Sequence, residues 1–337
     1  MINSIVSSKK IKAVAKLTLI GLLALPFINQ LKANSAGVDP LPSWSEGQTK
    51  TNILSFINKV TDPESPNFVP KTNRLATFDN DGTLWAEMPV VQLMFVAHRL
   101  KQMSQEHPEW TSNPAVQAVL NGNIEYFIEH GENAIAEVTA LTHSGMTQKE
   151  FQLEVEEFFK SAKHPKFGVA YTKTAYQPMI ELLIHLRNQG FSTWINSGGG
   201  TEFMRVIVEP TYGIRADQVI GSIGGLSLEQ RNEEWVLVKM PKLLLNNDKQ
   251  NKPVGISIQT GKNPIFAAGN VRNGGDIAHL TYSNSNRLPN FQLLINHDDP
   301  EREFAYKEPG DSSLKAAKQQ GWTVVNIKED WQEVFSF

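Results

Sequence analysis

The sequence predicts an α/β fold, with a Rossmann-like, mainly parallel sheet and helices on both of its faces. Two observations favour this fold. Short apolar segments typical of buried strands alternate with helical patterns, and most of these segments end in polar or glycine-rich turns. A third observation, a long helical stretch directly after the first strand, predicts a helical cap inserted into the chain at that point.

Five segments have the composition of short buried strands: 74–78, 191–195, 264–268, 291–295 and 322–327. The clearest helix between them covers 178–189, with Pro178 in its first turn and Gly190 as its stop signal. Residues 219–240 indicate a β-hairpin, and the polar run 246–252 indicates the loop that follows it.

Residues 88–171 form the predicted cap because they contain helical patterns and little strand character. Asn113 followed by Pro114 is typical of a helix start. Thr147 and Glu150 form a capping box ahead of apolar residues at helical spacing. The expected domains are therefore a leader, a two-part core and a cap, at 1–35, at 36–87 with 172–337, and at 88–171.

The first 35 residues have the order of a secretory signal peptide. They contain five lysines and no acidic residue, an apolar run at 17–28, and small residues at 33–35. The apolar run is shorter than the ~20 residues that a membrane-spanning helix needs. We therefore expect an exported, periplasmic protein that is cleaved near Ser35 and has no stable membrane association afterwards.

Composition sets limits on the partners. The chain of 337 residues is 40% hydrophobic, enough for a large core, and because it lacks cysteine it forms neither disulfides nor thiolate metal sites. Without the five lysines of the leader, 27 basic residues remain against 35 acidic ones, a net charge of about −8. This charge disfavours nucleic acid or an anionic membrane as a partner.

Polar side chains stand where the predicted strands end, and ligands of open parallel sheets bind beyond the carboxyl ends of the strands. The candidates at strand ends are Asp79, Asp81, Ser197 with the backbone of Gly198, Asn270 and Asp276, and Lys252 lies ahead of the third of these strands. Phosphoryl transfer uses such groups. A carboxylate can attack phosphorus, a second carboxylic acid can move the proton, and hydroxyl, amide and ammonium groups can hold the transferring oxygens. Carboxylates are also ligands that Mg²⁺ prefers.

The order of these residues resembles the four motifs of the haloacid dehalogenase (HAD) superfamily, in its phosphoserine-phosphatase-like branch. The run 79–83 (Asp-Asn-Asp-Gly-Thr) after a strand matches the first motif, and the strand ending at Ser197 matches the second. Lys252 matches the third motif, and Asn270 with Asp276 matches the fourth. The resemblance spans essentially all of the chain after the leader, and it implies a HAD-like core with a cap inserted after the first strand.

The resemblance also implies a role for each matched residue. Asp79 would be the nucleophile and a Mg²⁺ ligand. Asp81 would be the general acid and base and would offer its carbonyl oxygen to the metal. Ser197, the amides from Gly198 onward, and Lys252 would bind the phosphoryl group. The implied reaction is Mg²⁺-dependent hydrolysis of a small phosphomonoester through an aspartyl-phosphate.

The fourth motif departs from the pattern of the family. Asn270 stands where the direct metal ligand is usually Asp, and the spacing to Asp276 is longer than the common form. Either Asn270 binds the metal through its amide oxygen, or Asp276 binds it across a looser loop. The sequence leaves both alternatives open.

Two other functions are consistent with the same motifs: a phosphotransferase or mutase on this fold, and a non-catalytic periplasmic relative that binds phosphate ligands. A dehalogenase is disfavoured because it would lack the acid at Asp81. Substrate contact or a structural role stays open for several neighbouring residues, namely Trp85, Glu87, Glu202, Arg205, His297, Asp298 and Asp299. The sequence favours a helix surface for Glu202 and Arg205, and a solvated turn for the last three. It does not determine the substrate or the oligomeric state.

Overall fold

The computed structural model describes residues 38–337. The predicted signal peptide and its cleavage site lie outside the described residues. In the part of the chain that is described, no helix has both the length and the apolar composition that are needed to cross a membrane. Residues 40–337 form one compact unit, so the division into a core and a cap remains a prediction.

The strands of the described chain are β1 Leu75–Phe78, β2 Ser192–Gly200, β3 Val219–Arg231, β4 Glu234–Leu245, β5 Phe266–Asn270, β6 Phe291–Asn296 and β7 Thr323–Asn326. They form one sheet in the order β4-β3-β2-β1-β5-β6-β7. All neighbouring pairs are parallel except β3 and β4, which are antiparallel. The mainly parallel sheet confirms the predicted α/β fold.

The α-helices of the described chain are α1 Gln48–Thr61, α2 Val91–Met103, α3 Pro114–Leu120, α4 Ile124–His143, α5 Gln148–Ser161, α6 Gln177–Asn188, α7 Thr201–Arg205, α8 Val208–Tyr212, α9 Lys252–Thr260, α10 Ile277–Asn284, α11 Ser312–Gln320 and α12 Ile327–Asp330. Helices α2 to α6 lie between β1 and β2 in the chain, and α2 to α5 fall within residues 88–171. We call residues 88–171 the helical insertion.

The helix starts predicted within the helical insertion are confirmed. The side chain of Asn113 accepts hydrogen bonds from the second and third amides of α3. Thr147 and Glu150 form the expected capping box at the start of α5. Each cap satisfies amide groups that a helix start otherwise leaves without a partner, so these ends are specified locally.

Helices cover both faces of the sheet, as the division of one strand between two hydrophobic clusters shows. Phe266 and Ala268 of β5 belong to the largest cluster, which also contains Phe56 of α1. Ala267 between them belongs to a second cluster with Leu280 of α10 and residues of α11. Because alternate residues of a strand point to opposite faces, β5 is covered on both sides.

Two strands extend further than the sequence predicts. Strand β2 does not stop at Ile195 but continues through the glycines to Gly200, because Gly200 still pairs with Ser222 of β3. Strand β4 continues to Leu245, beyond the predicted end of the hairpin at 240. Pairing with a neighbouring strand, which composition does not reveal, decides both ends.

The hairpin of β3 and β4 is joined to the helical insertion. Lys239 of β4 donates its amide to the carbonyl of Met146, and the amide of Gly145 donates to the carbonyl of Lys239, at 2.8 and 2.9 Å. The ammonium of Lys239 pairs with Glu202 and lies 4.1 Å from the ring centroid of Phe151. The hairpin therefore packs against one side of the helical insertion.

His143, the last residue of α4, is a buried histidine of the helical insertion. Its ring lies 5.4 Å from that of Phe95 and 4.9 Å from that of Phe151, between centroids. Burial lowers the pKa of His143 from 6.5 to about 3, and Lys239 and Arg99 add to the effect. As pH falls through this window, the unfolded chain binds a proton that the folded chain does not. The free energy of unfolding therefore falls by about 1.4 kcal/mol per pH unit.

We expect His143→Gln to weaken the acid dependence of stability, because it removes this proton uptake. Between about pH 6 and pH 4, the slope of unfolding free energy against pH should fall by up to about 1.4 kcal/mol per unit. Urea denaturation at several pH values measures the slope. The control Ala136→Gln places the same side chain at an exposed position of α4 and should keep the wild-type slope, because it removes no titrating group. Equal slopes for wild type and His143→Gln would contradict the expectation.

Candidate active site

The carboxyl ends of the central strands bring the predicted site residues together. Phe78, the last residue of β1, pairs with Ile195 of β2 and with Ala268 of β5. The amide of Asp79 donates to the carbonyl of Ala268 at 2.9 Å. Residues that follow these three strands therefore meet at one edge of the sheet, as the sequence predicts.

The turn after β1, residues 79–83, is shaped by a close approach at Gly82. Its φ is +73°, and a Cβ there would lie 1.9 Å from Nδ2 of Asn270. The amide of Gly82 donates to the carbonyl of Trp85 at 2.9 Å. Only glycine fits both the backbone conformation and the space, so Gly82 allows Asn270 to lie against the turn.

Lys252 holds two buried carboxylates together. Its ammonium lies 2.7 Å from Oδ1 of Asp79 and 2.6 Å from Oδ1 of Asp276. The lysine is the first residue of α9 and not the end of a loop, which corrects the prediction for 246–252. The correction has a local cause: Pro253 at the second position, with no amide hydrogen to lose, favours a helix start.

The three charged groups change one another's pKa. Burial raises the pKa of Asp79 well above its usual value, and the negative charge of Asp276 adds to this, while Lys252 acts in the opposite sense. Burial alone would also raise the pKa of Asp276, but Lys252 and His279 outweigh it and lower it to about 2. Lys252 therefore favours the ionised form of both carboxyl groups, and the net pKa shift is upward at Asp79 and downward at Asp276.

Both carboxylate oxygens of Asp276 are occupied. Oδ1 accepts a hydrogen bond from Lys252 and lies 3.4 Å from Nδ1 of His279. Oδ2 accepts from the backbone amide of Asn270 at 3.0 Å. Nε2 of His279 lies 2.7 Å from the hydroxyl of Thr77 in β1. Asp276 thus connects Lys252 with β5 and, through His279, with β1.

Asp81 lies two residues beyond Asp79, and its carboxyl Oδ1 accepts a hydrogen bond from the indole of Trp85 at 2.8 Å. Trp85 is buried, which supports a structural role for this side chain. Burial raises the pKa of Asp81, and the nearby Glu87 carboxylate contributes in the same direction. A raised pKa suits a carboxyl group that has to give up a proton and take one back near neutral pH.

Ser197 and the glycines after it form the irregular carboxyl end of β2, which we call the glycine loop. The amide of Gly199 donates to the Ser197 hydroxyl at 3.1 Å, and Asn247 donates to the Ser197 carbonyl at 2.9 Å. A Cβ on Gly198 would lie 3.0 Å from the carboxylate of Asp248. A side chain at Gly198 would therefore require Asp248 to shift.

Gln92 contacts these glycines, and the sequence did not predict this contact. It lies near the start of α2, in the helical insertion, and its Oε1 accepts from the amide of Gly200 at 3.0 Å. A Cβ on Gly199 would lie 2.1 Å from its Nε2. No motif marks Gln92, because a helix far along the chain brings it to the loop.

Tyr212, the last residue of α8, is a second missed residue. Its hydroxyl is buried and has no hydrogen-bond partner among the described residues. Burial raises its pKa well above 10, and the negative charges of Asp81 and Asp79 add to that effect. Tyr212 thus carries a buried hydroxyl whose ionisation the carboxyl groups of Asp79 and Asp81 disfavour.

Glu87 is buried and belongs to a cluster beside the turn. Its Oε1 accepts from Nδ2 of Asn270 at 3.2 Å, and its Oε2 pairs with Arg272. The hydroxyl of Tyr306 lies 3.3 Å from the same Nδ2. The structure thus places Glu87 in contact with the fourth motif.

The interpretation of residues 297–299 as a solvated turn is wrong for His297 and Asp299, because both are buried. Nε2 of His297 lies 2.8 Å from the carbonyl oxygen of Gly82, and Nδ1 lies 3.0 Å from Oε2 of Glu303. Its ring also stacks on Tyr306 at 4.4 Å between centroids. His297 therefore supports the turn that carries Asp79 and Asp81.

Glu202 and Arg205, whose role the sequence leaves open, lie away from the contacts around Gly82 and Asn270. Glu202 accepts from Gln148 at 2.8 Å and pairs with Lys239, and so joins the helical insertion to β4. Arg205 donates to the carbonyl of Ala216 at 2.9 Å on an exposed surface. Arg205 is exposed, as the predicted helix surface requires, whereas the Glu202 side chain is 17% exposed and paired between elements.

The donor groups of the site suit a hard divalent cation. Among residues 38–337, no three His, Asp or Glu side chains converge to form a metal site by themselves. The edge instead offers the carboxylate of Asp79, the backbone carbonyl of Asp81 and the side-chain amide oxygen of Asn270. Mg²⁺ binds oxygen donors of this kind. The buried carboxyl groups also outnumber the cationic groups Lys252 and Arg272. A dication would favour the ionised forms of these carboxyl groups.

No protein-family model and no curated protein matches the sequence. A protein of unknown function from Anaerococcus prevotii DSM 20548 has a solved structure with a TM-score of 0.53 and 14% identity, covering 82% of this chain and 91% of that chain. At this identity the similarity shows a shared fold.

Solved structures similar to the chain also include a HAD family hydrolase and a phosphoserine phosphohydrolase-like protein. The first, from Salmonella enterica serovar Typhi, has a TM-score of 0.41 and 14% identity over 77% of this chain and 69% of that chain. The second, from Francisella tularensis SCHU S4, has a TM-score of 0.43 and 15% identity over 76% of this chain and 97% of that chain.

Lys252→Met should strongly destabilise the protein, because it leaves the carboxylates of Asp79 and Asp276 buried together without their cation. Breaking a buried ion pair by removing one partner costs about 3–5 kcal/mol. Urea unfolding at neutral pH measures the loss. The control Lys318→Met replaces an exposed lysine and should change stability by less than about 0.5 kcal/mol. A similar small change in Lys252→Met would contradict the role of the ammonium.

Proposed function

We propose that this protein is a Mg²⁺-dependent phosphatase of the HAD type that hydrolyses a small phosphomonoester through an aspartyl-phosphate on Asp79. The observation that carries the proposal is the shared ammonium of Lys252, which lies between Asp79 and Asp276 at the carboxyl edge of the sheet. A nucleophilic carboxylate, a neighbouring carboxylic acid and a fixed cation at one site are what phosphoryl transfer requires.

In the first half of the proposed reaction, a carboxylate oxygen of Asp79 attacks phosphorus. The bond between phosphorus and the ester oxygen breaks, and the proton of Asp81 goes to that leaving oxygen. Burial raises the pKa of Asp81, which favours the protonated form that this transfer needs. The products are the free alcohol and a phosphorylated Asp79.

In the second half, water attacks phosphorus and gives a proton to Asp81. The bond between phosphorus and the Asp79 oxygen breaks, which releases inorganic phosphate and restores both carboxyl groups. The Ser197 hydroxyl, the amides that follow it and the Lys252 ammonium would hold the non-bridging oxygens. These donors stabilise the charge that develops in both transition states.

Mg²⁺, held by Asp79, the carbonyl of Asp81 and Asn270, would add positive charge that favours the ionised form of Asp79 and neutralises the phosphoryl oxygens. We propose Asp276 as the partner of Lys252, because its Oδ1 accepts from that ammonium and its Oδ2 accepts from the backbone amide of Asn270. We propose Asn270 as the ligand from the fourth motif, which is one of the two alternatives that the sequence leaves open.

The proposed setting is the periplasm, with a small phosphomonoester as the partner and no nucleic acid. The basic, apolar and small-residue order of 1–35 supports export. The excess of acidic over basic residues in the remaining chain supports the exclusion of nucleic acid.

The purified protein should release phosphate from p-nitrophenyl phosphate when Mg²⁺ is present, and chelation with EDTA should stop the release. Asp79→Asn should lower kcat at least about 10³-fold, because the amide is not a nucleophile. Phosphate release under steady-state conditions measures both effects. The control Asp217→Asn changes an exposed aspartate that pairs with Arg215 and should keep wild-type activity.

Two outcomes would contradict the proposal in different ways. A wild-type protein that is inert toward a panel of phosphomonoesters, but binds phosphate as tightly as Asp79→Asn does, would indicate the binding relative. Transfer of the phosphoryl group to an added alcohol or sugar phosphate in preference to water would indicate a phosphotransferase.

Asp81→Asn should have an effect that depends on the leaving group. An alkyl phosphate needs a proton on its leaving oxygen, whereas p-nitrophenolate leaves readily without one. We therefore expect kcat/KM, which reports the phosphorylation step, to fall about 10²–10⁴-fold for an alkyl phosphate and much less for p-nitrophenyl phosphate. Equal losses for both substrates would exclude Asp81 as the acid of the first step.

A further inference from the structure

The amide of Asn270 has a fixed orientation. Its Nδ2 lies 3.2 Å from Oε1 of Glu87, and a carboxylate can accept a hydrogen bond but cannot donate one. If the side-chain amide were turned over, Oδ1 of Asn270 would lie against Oε1 of Glu87, and two buried acceptors would meet. The amide nitrogen therefore faces Glu87, and Oδ1 is left without a hydrogen bond from any described residue.

The neighbours of Glu87 hold this arrangement firmly. Glu87 is 2% exposed, and its second oxygen pairs with Arg272. Tyr306 contributes its hydroxyl at 3.3 Å from Nδ2 of Asn270, and its ring stacks on His297, which contacts the carbonyl of Gly82. The same set of contacts therefore positions the Asn270 amide and the turn of the predicted nucleophile.

Charge explains why position 270 carries an amide in this chain. An aspartate at 270 would lie against the buried carboxylate of Glu87, and two such charges at hydrogen-bond distance repel each other strongly. An asparagine at 270 can instead donate a hydrogen bond to Glu87 and carries no charge. The acid that the family pattern has at position 270 is thus matched here by an acid at position 87.

We propose that Glu87 is a positioning residue for the metal site, which supplies the negative charge absent at Asn270 and holds the Asn270 amide with its oxygen free for the cation. This inference rests on the proposed function, since it concerns the Mg²⁺ of that reaction. Glu87 acts through Asn270 and is not itself a ligand. Residues that orient metal ligands in this way commonly contribute 10- to 100-fold to metal affinity.

Mn²⁺ binding to the substrate-free protein tests the inference without relying on turnover. Electron paramagnetic resonance of free Mn²⁺ gives the dissociation constant. Glu87→Gln should weaken Mn²⁺ binding about 10- to 100-fold, because the amide at 87 no longer fixes the orientation of Asn270 and the negative charge is lost. The control Glu181→Gln replaces another buried glutamate, which contacts Ser43 far from the site, and should bind Mn²⁺ like wild type.

The exchange variant Glu87→Gln/Asn270→Asp is the decisive measurement. It restores one acid and one amide with their positions exchanged, and its Mn²⁺ affinity should return to within about threefold of wild type. A merely structural contribution of Glu87 would not produce this recovery. Should Glu87→Gln not fold, the exchange variant alone decides, and its failure to fold or to bind Mn²⁺ would overturn the inference.

The remaining outcomes separate this inference from the proposed function. Wild-type affinity in folded Glu87→Gln overturns the role of Glu87 and leaves the phosphatase proposal intact. A wild-type protein that binds no Mn²⁺ up to millimolar concentrations overturns the metal requirement itself, and with it the inference.

Discussion

The site depends on one buried contact, the ammonium of Lys252 between Asp79 and Asp276. Burying three charged groups is costly, and the cost is offset only when they are close and fully hydrogen-bonded. Because Asp79 follows β1, Asp276 follows β5 and Lys252 begins α9, this contact also fixes three elements relative to one another. The interaction that makes the charges tolerable in the interior is thus the one that forms the candidate phosphate site.

A second constraint is space at the turn after β1. Gly82 leaves room for Asn270, and His297 contacts the carbonyl of Gly82 from the side of β6. The turn is therefore held by side chains that follow two other strands, and its two aspartates have little freedom to move. Such preorganisation is what a phosphoryl-transfer site needs, since its catalysis consists mainly of positioning and charge stabilisation.

The edge of the sheet could be predicted because parallel strands place their carboxyl ends together, so the order of the motifs was sufficient to bring Asp79, Ser197 and Asn270 to one place. The contributions of Gln92 and Tyr212 could not be predicted, since each comes from a helix whose position is set by packing. The buried position of His297 was also missed. The acidic residues around it indicate solvent, whereas its partner Gly82 lies more than 200 residues away in the chain.

The sequence by itself determined the α/β class, the inserted helices and the identity of the groups at the strand ends, because strand composition, capping and motif order are local properties. Only the tertiary structure decided which groups the residues of the predicted fourth motif contact. It assigned Asp276 to Lys252 and placed Glu87 against Asn270, since hydrogen-bond partners from distant segments determine which oxygens are occupied and which way an amide faces. These choices depend on distances across the sheet, and the spacing of residues along a chain does not contain them.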